Sequence, residues 1–253
     1  QLTRALNSST TNISLQKRFK TDSESKDVFS DGNLPKEAIN LINFMGSYKL
    51  KHVIGSKLRI DNRFIISMLD TPGYSGLSPF HITRHGGYLG SHVDHSILPS
   101  TDLLHFANTI FYSSERWETG WGGETVLFSS DGSKIKALVE PRPNRLLIFI
   151  HSSTSFHGAL HYHGEVDRRT FYHDYYIQSS MLSKLESSFY DCFSTNYTHV
   201  NHNTTFLPYL PFGVRSFKLY SLFSRRNLEY LFYYLIYLKR LACNRKTKNR
   251  QIK

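Results

Sequence analysis

Three side chains constrain this sequence more than anything else in it: His92 and Asp94 near the middle, with Val93 between them, and His157, preceded by Phe156, far downstream. Residues i and i+2 of an extended chain point the same way, so His92 and Asp94 share a face on strand-like sequence. Together with one distant imidazole they make a three-ligand N,N,O set. Such a set holds a divalent ion on one side, leaves up to three coordination positions open, and suits redox-active Fe(II). In a chain with 13 His, an isolated His-x-Asp is more often a surface turn or a satisfied polar pair, so the surrounding sequence has to carry the reading.

That surrounding sequence is organised. The run from Ile82 to Ser91 is punctuated by Gly86, Gly87 and Gly90, where backbone turns tightly and approaches something closely. His105 to Tyr112 reads as a strand, and Trp117 to Phe128 as a loop, a Gly122-Gly123 turn and another strand. Pro141 to Asn144 is a turn feeding Arg145 to Ile150, an apolar run suited to a buried strand. Phe156-His157 follows, and then Arg168 to Ile177, aromatic-rich and extended, with Arg168 and Arg169 at its start. Upstream, Asp31 to Pro35 is a turn into a helix whose Ala38, Ile39, Ile42 and Met45 share one side. Residues 48 to 70, including Phe64 to Leu69, alternate in patches and read as the opening strands of a sheet.

In order and spacing these motifs resemble the iron- and 2-oxoglutarate-dependent dioxygenases, in their prolyl 4-hydroxylase-like branch, over about residues 35 to 178. The resemblance implies a mainly β fold with flanking helices, a double-stranded β-helix (jelly-roll, cupin-like) barrel of eight core strands. It makes His92, Asp94 and His157 the iron ligands, and the retained Asp94 favours hydroxylation over halogenation. It also implies that Arg168 with Thr170 binds the distal carboxylate of 2-oxoglutarate, Arg169 being the alternative if the strand register slips by one. Tyr112, five residues before Trp117, takes the place of the family's carboxylate-binding tyrosine. Where the family usually has another Tyr this chain has His85, and Tyr88 is the candidate replacement. His161 and His163 rival His157 as the distal ligand. The implied cofactors are Fe(II), 2-oxoglutarate as cosubstrate and O2, with ascorbate as a further candidate. The implied reaction oxidatively decarboxylates 2-oxoglutarate to succinate and CO2 while hydroxylating a substrate C–H bond.

Charge separates the rest of the chain from this core. The formal net charge is +11. Residues 211–253 hold eleven Lys and Arg against Glu229 alone, a net of +10, so the other residues total +1. A nearly neutral core argues against a nucleic-acid substrate and confines nucleic-acid contact to the basic tail. Leu228 to Ala242 reads as a helix with Leu228, Leu231, Leu235 and Leu238 in one stripe, suited to packing on the domain or on a homodimer partner. Its apolar run is too short to span a bilayer. The Ser/Thr/Asn/Lys-rich residues 1–30 are expected to be disordered, 31–180 to form the catalytic domain, and 181–253 a basic, partly helical extension. Cys192 and Cys243 form no metal-type spacing, and residues 1–26, in a sequence that begins at Gln1, show no apolar segment of signal type, so a reducing, cytoplasmic setting is the expectation. The sequons at Asn7, Asn12, Asn196 and Asn203 are discounted on the same ground.

Three functions stay open at this level. The first is hydroxylation of a peptide, at prolyl-like residues; the second is the same chemistry on a nucleobase, sugar or small metabolite; the third is a metal-binding barrel without oxygenase activity. Loops around the barrel mouth choose among them, with 69–80 and 97–104 the candidates.

Overall fold

A computed structural model of the chain describes residues 34–71, 79–94, 101–130, 135–152 and 154–184, together with Ala5, Leu98 and the segments 15–20 and 24–29. Eleven strands, all paired antiparallel, make one sheet that curls on itself. They are β1 (Leu15–Lys20), β2 (Glu24–Phe29), β3 (Ile66–Ser67), β4 (Phe80–Thr83), β5 (Tyr88–His92), β6 (Leu103–Tyr112), β7 (Thr125–Phe128), β8 (Ile135–Val139), β9 (Leu146–Ile150), β10 (His157–Ala159) and β11 (Arg168–Gln178). The eight from β4 to β11 form two four-stranded halves, ordered β4-β11-β6-β9 and β5-β10-β7-β8. Successive strands cross from one half to the other except at the β7-β8 hairpin. This winding is the double-stranded β-helix that the motif series implies.

β2 pairs with β1 along one edge, and along its other edge with β4 through Asp27–Phe29 and with β5 through Glu24–Ser25, so an N-terminal strand bridges the two halves along one seam. This corrects the expectation of disorder up to residue 30. Asp27, Val28 and Phe29 are buried, and backbone pairing with two exposed edges supplies what the polar local composition lacks.

The helices also differ in part from expectation. α1 (Lys36–Met45) forms as read, with Pro35 in the extended conformation just before it and Ala38, Ile42 and Met45 buried. Residues 48–58, read as strand, are instead α2 (Tyr48–Leu58). Ser47 caps it by accepting the Leu50 amide at 3.4 Å, and Leu50 and Ile54, four residues apart, bury one face. Patchy apolar spacing fits a period of 3.6 as well as 2, and the cap decides between them. Within Phe64 to Leu69 only Ile66–Ser67 is strand, paired to Tyr175 and Tyr176, and 3-10 turns flank it at Asn62–Phe64 and Met68–Asp70.

Both helices cover the outer face of the β4-β11-β6 half. Ile42, Met45 and Ile54 share one buried cluster with Phe80, Ile82, Phe171, Tyr175 and Ile177, and Tyr175 donates its hydroxyl to the Met45 carbonyl. Strand alternation then turns Arg168, Thr170, Tyr172 and Asp174 into the barrel interior. The C-terminal helix read from Leu228 to Ala242 lies outside the described residues. Among the described residues no helix is long and apolar enough to cross a membrane.

His173 sits in the outer core, fully buried, with Nε2 2.8 Å from Ser67 Oγ. Burial, followed by the charge of Lys51, pushes its pKa from 6.5 down to about 3. Unfolding restores the ordinary value, so the unfolded chain binds the extra proton between these limits. The stability involved is complete above about pH 6.5 and is lost as pH falls toward 3. Urea unfolding at pH 7 and pH 5 should therefore show a smaller acid-induced loss in His173→Gln than in wild type; equal losses would mean that other groups govern the acid response.

Candidate active site

The site begins with a register. β5 and β10 pair so that His92 stands directly opposite His157, which brings the two rings to a centroid separation of 4.4 Å at an interplanar angle of 46°. Asp94 follows β5 by two residues and reaches both: Oδ1 lies 3.1 Å from His92 Nε2 and Oδ2 3.3 Å from His157 Nε2. The other ring nitrogens are committed to backbone. His92 Nδ1 donates to the Gly90 carbonyl at 2.9 Å and His157 Nδ1 to the Ser155 carbonyl at 3.0 Å. With Nδ1 fixed as the donor, Nε2 is the atom each ring offers to a metal. The three ligand atoms lie within 4.8 Å of one another, a donor set that fits Fe(II).

The charges are interdependent. Burial, then the nearby His157, pulls the His92 pKa down, toward the neutral ring a metal needs. For Asp94 burial acts upward, but the two histidines outweigh it and hold the carboxyl well below its usual range. For His157 burial acts downward, and attraction to Asp94 wins, so its pKa is raised. A metal ion bound here would compete with any proton on this pair, because its ligands must be deprotonated.

Asp94, His105 and His151 form a second group of metal-ligating type. The His105 and His151 rings stack at 4.2 Å and 9°, so their lone pairs run side by side instead of converging. The tilted His92–His157 pair is the better chelate. His161 and His163, the rivals for the distal position, belong to neither group among the described residues. His161 stacks on Tyr88 at 4.4 Å, and His163 meets His85 edge-on at 5.4 Å. Tyr88 is buried and lines the central cavity, whereas His85 is exposed in the preceding turn.

Elsewhere in the same cavity, of about 280 Å³, stand Arg168 and Thr170. Arg168 is 6% exposed; its Nε donates to the Gly123 carbonyl at 2.7 Å and its Nη2 approaches Thr125 Oγ1 at 3.4 Å. The Gly122-Gly123 turn exists for this approach. Both residues have positive φ, a Cβ at Gly122 would stand 1.9 Å from the His161 carbonyl oxygen, and one at Gly123 would stand 3.0 Å from Arg168 Cδ. Trp117 closes the turn by donating Nε1–H to the Gly122 carbonyl at 2.9 Å. Tyr112 lies one step back: its ring underlies the Arg168 guanidinium at 5.4 Å and its hydroxyl meets Thr125 Oγ1 at 2.6 Å, so Thr125 is the hydroxyl that opens to the cavity. Arg169 is not on the cavity lining; its backbone amide donates to Ser114 Oγ.

Residues 79–175 match the sequence model of the 2OG-Fe(II) oxygenase superfamily. They are a 2OG-Fe(II) oxygenase domain. That family implies Fe(II), 2-oxoglutarate and O2, and the His92, Asp94 and His157 group fits the metal. No curated protein matches the chain by sequence. Among solved structures, a Pseudomonas putida prolyl-4-hydroxylase is similar at 16% identity, over 70% of this chain and 86% of that one, with a TM-score of 0.46. A viral collagen prolyl hydroxylase from Paramecium Bursaria Chlorella virus-1, solved with 2-oxoglutarate, is similar at 16% identity over 68% and 87%, TM-score 0.43. A prolyl 4-hydroxylase from Phytophthora capsici is similar at 18% identity over 70% and 52%, TM-score 0.41.

The oxygenase cavity also holds residues the motifs do not name. Asn108 and Asp174 line it next to the His/Asp group, and Lys26 reaches it from β2. Alternation from Tyr112 and from Arg168 carries the signal for Asn108 and Asp174, which sit four and six positions away on the same strand faces. Lys26 has no local signal, because the seam that places it is a pairing between distant segments.

Alanine at His92, Asp94 or His157 should weaken Fe(II) binding by about 100-fold or more, while His161→Ala and His163→Ala should retain it. Anaerobic calorimetry reads this directly, and loss of binding in either of the latter two variants with retention in His157→Ala would reassign the distal ligand. Because a metal would compete with protons for these ligands and the His157 pKa is raised, the same titration should show an affinity that falls, and a proton release that grows, as pH is lowered.

Proposed function

We propose that this oxygenase hydroxylates a C–H bond of a peptidyl, prolyl-like substrate, with release of succinate and CO2. The observation that carries the reading is a buried cation: Arg168 faces the same cavity as the N,N,O group and forms no ion pair among the described residues. Burial, its largest perturbation, pulls the guanidinium pKa down, yet arginine stays charged in proteins. A buried charge without a counter-ion is costly, and a carboxylate ligand supplies one in bidentate geometry. In this reading His92, Asp94 and His157 hold the iron, and Arg168 with Thr170 takes the distal carboxylate of 2-oxoglutarate. Tyr112 acts from behind, fixing Thr125 and supporting the guanidinium with its ring.

Bound iron and cosubstrate supply the oxidising power. The chain's own residues hold, orient and keep water out. The carbonyls of Gly90 and Ser155 fix the two imidazoles, Asn108 steadies Asp94 by donating to Oδ2 at 2.7 Å, and the aromatic and aliphatic lining of Tyr88, Leu89, Ile110 and Phe149 restricts solvent. A cavity of about 280 Å³ is smaller than the range that encloses a drug-sized ligand. Beside the cosubstrate it has space for one inserted side chain, which favours a substrate whose remainder lies outside the barrel. This and the motif order support a peptide over a bulky metabolite.

Anaerobic addition of Fe(II) and 2-oxoglutarate should produce the visible charge-transfer band of the chelated cosubstrate, and a folded, iron-loaded protein without the band would favour a barrel that only binds metal. In the same assay Arg168→Ala should weaken 2-oxoglutarate binding by about 100-fold or more, the effect of removing one partner from a buried ion pair, and Arg169→Ala should do so far less. The reverse order would place the strand register one residue away.

A further inference from the structure

Two cations face the cavity from strands that are not neighbours. On β11, Arg168 stands opposite Thr83 of β4. On β2, Asp27, Val28 and Phe29 pair with Ile82, His81 and Phe80 of β4, so one step further back Lys26 comes level with Thr83. Lys26, Thr83 and Arg168 therefore form one row across three strands, and all three line the cavity. The two cations start about 10 Å apart, two strand spacings. The row is clamped from outside. Asp27 and Asp167, the chain neighbours of Lys26 and Arg168, share one partner: Arg84 donates Nε to Asp27 Oδ2 at 3.1 Å and Nη1 to Asp167 Oδ2 at 3.3 Å. Adjacent residues of a strand point to opposite faces, and none of these three lines the cavity. Ion pairing on the outer face thus holds together two strands whose next residues bring like charges to the inner face. Thr83, Thr125 and Thr170 line the cavity with those cations, whereas its lining carboxylates, Asp94 and Asp174, belong to the other end. Asp174 is six residues along β11 from Arg168, roughly 20 Å, and pairs with Asn108, the partner of Asp94.

We propose that Lys26 is a second cation for the distal carboxylate of 2-oxoglutarate, sharing it with Arg168, so that the N-terminal strand β2 completes the cosubstrate site. The proposal rests on the reading of Arg168 given above and adds a residue from outside the matched oxygenase segment, 79–175. Like charges held in one row repel, and a carboxylate that accepts from both offsets that cost. Its two oxygens offer about four lone-pair sites, enough for two cations and a threonine hydroxyl. The guanidinium supplies a fixed fork, and the ammonium, on its flexible stem, a point charge from the seam side. Two cations at this end also select a dicarboxylate over a 2-oxo acid that ends in a methyl group.

Two acids, 2-oxoglutarate and 2-oxopentanoate, which has a methyl group in place of the distal carboxylate, decide it. Both are titrated by calorimetry into the full chain loaded with Fe(II) under argon, and again into the metal-free protein. The series covers wild type, Lys26→Met, Lys26→Arg and Arg168→Ala. Lys26→Met should weaken 2-oxoglutarate by about 10-fold, the effect of losing one charge-assisted hydrogen bond, while 2-oxopentanoate stays within about 2-fold of wild type. Lys26→Arg should recover most of the loss. Undiminished 2-oxoglutarate affinity in Lys26→Met overturns the proposal. So does an equal loss for the two acids, which is what a merely structural strand would give. If Arg168→Ala binds 2-oxoglutarate as wild type does, the reading of Arg168 fails, and the ratio of the two acids in Lys26→Met still decides whether Lys26 meets the carboxylate.

Discussion

The pairing of β5 with β10 is the constraint on which the rest of the structure depends. It sets His92 opposite His157, two residues far apart in sequence, and leaves Asp94 just past the strand end to reach both. β10 is pinned from its other side by β7, with His157 opposite Leu127 and Ala159 opposite Thr125. The strand between them can lie this close only because Gly158 lacks a side chain: a Cβ there would stand 2.7 Å from the Leu89 carbonyl oxygen. A slip of one residue would turn His157 to the outer face and dissolve the group.

Stability and chemistry are assigned to opposite faces of the same strands. On β11, Phe171, Tyr175 and Ile177 join the cluster under the two helices, while Arg168, Thr170, Tyr172 and Asp174 line the cavity. A barrel interior packed with apolar residues would leave no room for polar ligands, so the main apolar core sits outside the barrel, where α1 and α2 cover it. The interior can then hold charges that would be costly without partners. Those charges are distributed: a carboxylate between two imidazoles, and a guanidinium resting on a carbonyl and an aromatic ring.

Legibility in the sequence follows the range of the interaction. His92, Asp94, His157, Arg168 and Thr170 could be placed because strand period and motif order act over a few residues, and all of them line one cavity. Tyr112 was placed on the right strand, but its position one step behind Thr125 depends on packing against the Gly122-Gly123 turn. α2 was misread because its apolar spacing satisfies two periods, and the capping role of Ser47 becomes decisive only when Leu50 and Ile54 have a sheet to bury against. The N-terminal strands were misread because a polar segment gains its order from two edges supplied by residues more than fifty positions away.

By itself, then, the sequence determined the types of the candidate ligands, the i, i+2 spacing of His92 and Asp94, the alternation that gives each strand two faces, and the barrel those strands build. Only the tertiary structure decided that Lys26, Asn108 and Asp174 share the cavity with the metal group, that Arg168 and not Arg169 faces inward, and that the tilted pair of histidines converges while the stacked pair does not. The physical reason is that side-chain direction along a strand is a local property, whereas which strands become neighbours, and in what register, is settled by burial and backbone pairing summed over the whole sheet.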